Sequence, residues 1–138
     1  MVDVIFPDGT LVRACSLSQR EDNRAWRTYG MYLDARWQPD WPADVIDWAD
    51  FGLPRAPEDA ARLIRAAFKR AQAGEHVEVG CLGGLGRTGT VLACMATLAG
   101  VPAEDAVAWV RAHYQENAVE TSQQEAWVRW FAVHKPAS

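Results

Sequence analysis

No stretch of this 138-residue chain approaches the ~20 consecutive apolar residues needed to cross a bilayer. Its first residues, MVDVIFPDGT, lack the basic start and unbroken apolar core of a secretion signal. A soluble, cytoplasmic protein is the expectation. Cysteine is scarce: Cys15, Cys81 and Cys94 are odd in number and form no CxxC pair, which argues against a disulfide framework and a zinc site. At least one thiol stays free, as suits a reducing compartment. No run of basic residues occurs, and 18 acidic against 14 basic residues give a formal charge of −4, so nucleic acid and anionic membrane are not expected partners. Repeats, low-complexity tracts and linkers are missing too. What remains, 49% apolar and 23% charged, is the composition of one globular domain over residues 1–138, long enough to bury a full core. A monomer that needs no metal or cofactor is expected.

Short apolar runs and turn residues set out the elements. VDVIFPDGTLVRAC places two runs around Pro7-Asp8-Gly9 and predicts a hairpin. TYGMYLD (28–34) and ADVIDW (43–48) read as strands; ARWQPDWP between them, with two prolines, reads as loop, its Trp37 and Trp41 placed to frame a pocket entrance. RAPEDAARLIRAAFKRAQAG has Pro57 near its start, Gly74 past its end, and Leu63, Ile64, Ala67, Phe68 and Ala71 at helical spacing. HVEVG (76–80) alternates polar and apolar residues and runs straight into Cys81. From about Arg87, RTGTVLACMATLAG reads as a buried helix ended by Gly100, and PAEDAVAWVRAHY as another with Ala106, Val107 and Val110 inward. The last helix starts at Thr121, where Gln124 is placed for a capping box and Trp127, Trp130 and Phe131 line the inner face. This order predicts a small α/β domain with a sheet covered by helices. Cys15 and Cys94 read as packing residues, and His76, His113 and His134 as isolated surface or packing residues.

Half of the ten glycines, Gly80, Gly83, Gly84, Gly86 and Gly89, crowd around one cysteine and one arginine in VEVGCLGGLGRTGT (77–90). A strand, a glycine-rich turn and a helix start make an anion site, because backbone amides converge and the helix adds its positive end. Arg87 supplies a planar fork that matches two phosphate oxygens. Cys81 stands at the mouth, where a field that binds an anion also stabilises a thiolate, a nucleophile aimed at phosphorus. Two other phosphate loops fit less well. The stretch Gly84 to Gly89 is also a GxGxxG, with Glu104 20 positions after Gly84, but a dinucleotide fold wants that acid at the end of a second strand, whereas Glu104 opens a helix behind Pro102. A nucleotide-triphosphate loop wants glycine and lysine where Cys81 and Arg87 stand.

Cys81, five residues, Arg87 and Thr88 resemble the C-x5-R-[S/T] motif of cysteine-dependent protein tyrosine and dual-specificity phosphatases, and GLGRTGT (84–90) is closer to the tyrosine-phosphatase form. WADFGLP (48–54), 31 positions before Cys81 at its Asp50, resembles that family's mobile acid loop, with Ala49 in place of a proline. ETSQQ (120–124) resembles its glutamine-bearing loop, Gln124 matching the second glutamine and Glu120 standing where the first is found. The resemblance, from about residue 43 to 133, implies a parallel-cored sheet with helices on both sides. It also implies a metal-independent phosphomonoesterase that works through a cysteinyl-phosphate. Cys81 would be the nucleophile, the loop of Leu82, Gly83, Gly84, Leu85, Gly86 and Arg87 the phosphate cradle, and Asp50 the general acid. Thr88 would assist the sulfur, and Gln124 would either position the hydrolytic water or only cap its helix. Gly80 departs from the histidine usual before the nucleophile. The cradle carries no lysine, so phosphotyrosine in a protein or a small aryl phosphate is favoured over a polyphosphorylated lipid, and a shallow dual-specificity pocket also fits. Gly80 and Ala49 motivate an alternative, a phosphate-binding module with little turnover; redox sensing through Cys81 is compatible with either.

Overall fold

A computed structural model describes residues 1–134. Five strands form one sheet: β1 (Val2–Ile5), β2 (Leu11–Ser16), β3 (Tyr29–Tyr32), β4 (Ala43–Val45) and β5 (Val77–Cys81), in the spatial order β1-β2-β5-β3-β4. Only the β1–β2 hairpin is antiparallel; β2, β5, β3 and β4 run parallel. The hairpin turns where Pro7-Asp8-Gly9 places it, with Gly9 at φ 88°. Helix α1 (Pro57–Gln72) carries the chain to the central strand β5, and α2 (Gly86–Leu98), α3 (Ala106–His113) and α4 (Ser122–Val133) follow. Pro57 opens α1, acids Glu58 and Asp59 sit in its first turn and Lys69 and Arg70 in its last, as the helix dipole favours. Among the described residues no helix is long and apolar enough to cross a membrane.

The two faces of the sheet are covered differently. Val12, Ala14, Met31, Val77 and Val79 point to one face and pack with Ile64, Phe68, Leu92, Val110 and Phe131, which come from all four helices, in one apolar core. The opposite face holds a small cluster of Cys15, Tyr32 and Trp37, packed against Leu17 and Trp41 from the stretches on either side of β3, which carry two 3₁₀ turns (Leu17–Gln19 and Ala35–Trp37). The α-helices therefore lie on one face instead of on both, and the stretch expected to be all loop contains a helical turn capped by the Asp34 side chain. HVEVG does form a strand, and although it alternates polar and apolar residues every residue of β5 is buried, Glu78 at 0% exposure included. A central strand covered on both faces has no solvent side, so its polar residue must be paired inside.

Candidate active site

The cradle forms where the C-terminal end of β5 meets the start of α2, so the strand aims Cys81 at the sheet's edge and the helix brings Arg87 and Thr88 back beneath it. Cys81 is 2% exposed. Its Sγ accepts two hydrogen bonds, from the Gly84 N–H (3.2 Å) and the Thr88 hydroxyl (3.1 Å), which complement a negatively charged sulfur. Gly84 takes φ 76°, a turn that a side chain would strain, and its carbonyl accepts from the Tyr114 hydroxyl. The Leu82 carbonyl accepts from Leu17 N–H at 3.1 Å, tying the turn to the far face.

Arg87 is buried, and its guanidinium is fixed from behind. Nη1 donates to the Leu33 (2.8 Å) and Trp48 (2.9 Å) carbonyls, and Nη2 pairs with Asp34 at 3.2 Å. Asp34, whose ring of donors includes Arg36 at 2.6 Å, is held well below the usual carboxylate range, chiefly by the Arg36 hydrogen bonds and then by the charge of Arg87. The third guanidinium nitrogen, Nε, is buried without a hydrogen-bond partner and lies 3.7 Å from Asp50 Oδ1. Asp50 stands at the rim, its side chain 51% exposed, and shares a cleft of about 370 Å³ with Asp34, Arg36 and Arg87. Trp48 closes the acid loop by donating its indole N–H to the Gly52 carbonyl at 2.8 Å, and Phe51 holds φ 59°. Two contacts thus meet at neighbouring residues of α2: Thr88 reaches the Cys81 sulfur and Arg87 faces Asp50.

The sequence matches the family model of the protein-tyrosine phosphatases over residues 9–129. The chain belongs to that family. Two uncharacterized proteins of Methanocaldococcus jannaschii are 41% and 38% identical to this phosphatase-family chain over 87 residues, 63% of its length. The match spans only 57% and 53% of those two proteins, a little over half of each. Among solved structures, the fold is similar to that of Tk-PTP in its active form (TM-score 0.66, 20% identity, 94% of this chain and 95% of that one). It is similar also to human tyrosine phosphatase-like serine/threonine/tyrosine-interacting protein (TM-score 0.71, 15% identity, 94% and 93%) and to human DUSP28 (TM-score 0.68, 13% identity, 95% of both).

Other residues of this tyrosine-phosphatase family member fall differently from expectation. Gln124 is fully buried and both ends of its amide are engaged: Oε1 accepts from Glu120 N–H (2.9 Å) and Nε2 donates to the Gly52 carbonyl (3.2 Å). Thr121 Oγ1 caps the helix through Gln124 N–H at 3.1 Å, but the return bond of the capping box reaches Glu120 instead of Thr121. Gln124 therefore ties the acid loop to the start of α4. The Glu120 carboxylate lies against Gly86, where a Cβ would meet Oε1 at 1.9 Å. Just before it, the buried, β-branched Val119 is forced to φ 62° and is held there by Arg111, whose guanidinium donates to the Ala118 (2.9 Å) and Val119 (2.8 Å) carbonyls. Trp37 does not frame an entrance; it is 2% exposed, beneath the cradle. Asp34 and Tyr114 are contacts of the site that sequence reasoning missed, and Trp37 was given a different place; the one local signal was Asp34 ahead of Ala-Arg-Trp, an N-cap position. Cys15 and Cys94 are packing residues as expected, their thiols pushed up by burial, Cys15 to about 12 with Glu78 adding to the effect.

Proposed function

We propose that this protein is a metal-independent phosphomonoesterase acting on phosphotyrosine or a small aryl phosphate through a cysteinyl-phosphate. The observation that carries the reading is the convergence on one sulfur of the Gly84 N–H and the Thr88 hydroxyl, next in sequence to a buried Arg87 whose Nε faces Asp50 at 3.7 Å without a hydrogen-bond partner. An anion held by the cradle amides supplies that guanidinium with the acceptor it is missing. The Cys81 sulfur attacks phosphorus, the bond from phosphorus to the ester oxygen breaks, and the Asp50 carboxylic acid gives its proton to the departing oxygen. Water then attacks the thiophosphate, Asp50 takes the water's proton, and the phosphorus–sulfur bond breaks to return the thiolate, to which Thr88 donates. Gln124 acts in this scheme as a positioning residue, because its amide joins the acid loop at Gly52 to Glu120.

Hydrolysis of para-nitrophenyl phosphate in the presence of EDTA tests the reading. Cys81→Ser is expected to abolish turnover, and Asp50→Ala to lower kcat by about 10²–10⁴-fold, the usual worth of a general acid. A wild type that binds vanadate without turning over, and loses that binding in Arg87→Ala, would instead be a phosphate-binding module.

A further inference from the structure

The peptide that begins the cradle rests on a tryptophan from the opposite face of the sheet. Trp37 donates its indole N–H to the carbonyl of Cys81 itself, at 3.1 Å. Its six-membered ring fills the space beside residue 80 so closely that a Cβ there would lie 2.3 Å from Cζ2. Gly80 is thus a fit to Trp37, and no side chain at position 80 has room to support the cradle. The ring cannot drift: it stacks on Tyr32 with centroids 4.1 Å apart and planes 14° apart. Tyr32 is itself anchored, donating to Glu78 (2.5 Å) and accepting from Trp41 (2.8 Å), while Glu78 is also bound by Asn23 and lies 3.6 Å from Arg27. A rigid chain therefore runs from the buried Glu78 through Tyr32 and Trp37 to the nucleophile's own backbone.

In a trans peptide the carbonyl and the following N–H point in opposite directions. A donor that holds the Cys81 carbonyl from the far face thus turns the Leu82 N–H away from Trp37, toward the side on which the cradle opens. We infer that Trp37 is a positioning residue: its indole N–H fixes the plane of the 81–82 peptide and pre-organises the first amide of the anion cradle. Filling the space would need only an apolar ring; the N–H on this one carbonyl is what links the ring to the site. The inference rests on the reading of this loop as an anion cradle, and it can be tested without turnover.

The probe is alkylation of Cys81 by iodoacetate, an anion, against iodoacetamide, its neutral counterpart, with inorganic phosphate as protecting ligand and mass spectrometry as readout. Replacing the Trp37 side chain by benzothienylalanine, which puts sulfur in place of the N–H and keeps the fused ring, removes the donor alone; Trp37→Phe is the second variant. Wild type is expected to prefer iodoacetate. Both variants are expected to lose about tenfold of that preference and of phosphate affinity, the worth of one hydrogen bond to an anion. The melting temperature should barely move in the benzothienyl protein. Gly80→Ala, which pushes the ring off the strand, should produce the same loss, and less of it in the Trp37→Phe background. Unchanged preference and phosphate affinity in either folded variant would overturn the inference, as would a loss that only follows a fall in melting temperature. A wild type that prefers iodoacetate yet hydrolyses no aryl phosphate sinks the enzyme reading and leaves this one standing; a wild type with no preference sinks both.

Discussion

The two faces of the sheet solve the problem of burial in different ways. On the helix side, Ile64, Phe68, Leu92 and Phe131 cover Val12, Met31 and Val79 with side chains that need only shape and apolar surface. On the other side, Glu78, Asn23, Arg27 and Tyr32 are buried together and must satisfy one another's charge and hydrogen bonds. A plastic surface can lose a methyl group and close up. A polar network fails when a single member is removed, because the partners remain buried and unpaired. The cradle sits at the seam, with the Cys81 side chain in the apolar core and its carbonyl held from the polar side.

Breaking the polar face should therefore cost most. Glu78→Leu leaves Arg27, its side chain 2% exposed, without its counter-charge, and is expected to lose about 3–5 kcal/mol in urea unfolding. Adding Arg27→Met should recover part of it, since the stranded cation is gone. A loss no greater than that of Ile64→Val would erase the contrast between the faces.

Asp34→Asn removes charge-assisted hydrogen bonds from Arg36 and Arg87, and about 1.5–3 kcal/mol is expected. Its pH dependence sharpens the comparison. Because the native pKa of Asp34 is depressed, its contribution is complete above the unfolded value of about 3.9 and is lost as the pH falls toward the native one. Thermal melts of wild type and Asp34→Asn should thus stay a constant distance apart from pH 7 to about 5 and draw steadily together as the pH falls below about 4; a gap as wide at pH 2 as at pH 7 would contradict this account.

Smaller effects are expected from local features. Thr121→Ala deletes the cap on Gln124 N–H and should cost about 1 kcal/mol. Ile64→Val, on the forgiving face, should cost about 0.5–1.5 kcal/mol by the same unfolding measurement, and a loss of several kcal/mol there would show the helix side to be packed as tightly as the polar side is paired.

Much of the site was legible because its residues are close in sequence or carry local punctuation. Cys81 through Thr88 is a single strand-turn-helix, Pro57 and the 3.6-residue spacing mark α1, and Asp50 lies in a compact aromatic turn. Trp37, Asp34 and Tyr114 were not legible. Their partners in the site lie 44, 53 and 30 positions away, and a tryptophan in a proline-rich stretch reads equally well as an exposed loop. The burial of Glu78 was not legible for a related reason: an acid between two valines also fits a half-exposed strand, and only the arrival of Tyr32, Asn23 and Arg27 from 46, 55 and 51 positions away makes its burial possible.

Backbone periodicity, turn chemistry and one contiguous loop sufficed to specify the element order, the apolar faces of the helices and the strand-turn-helix that carries Cys81 to Thr88, since each depends on neighbours within a few residues. Which face is polar, why residue 80 has no side chain and what holds the Cys81 carbonyl were decided only when β5 and the Leu17–Trp41 segment with its strand β3 came together. A buried charge or donor is acceptable only beside its partner, and that partner is chosen in space, not along the chain.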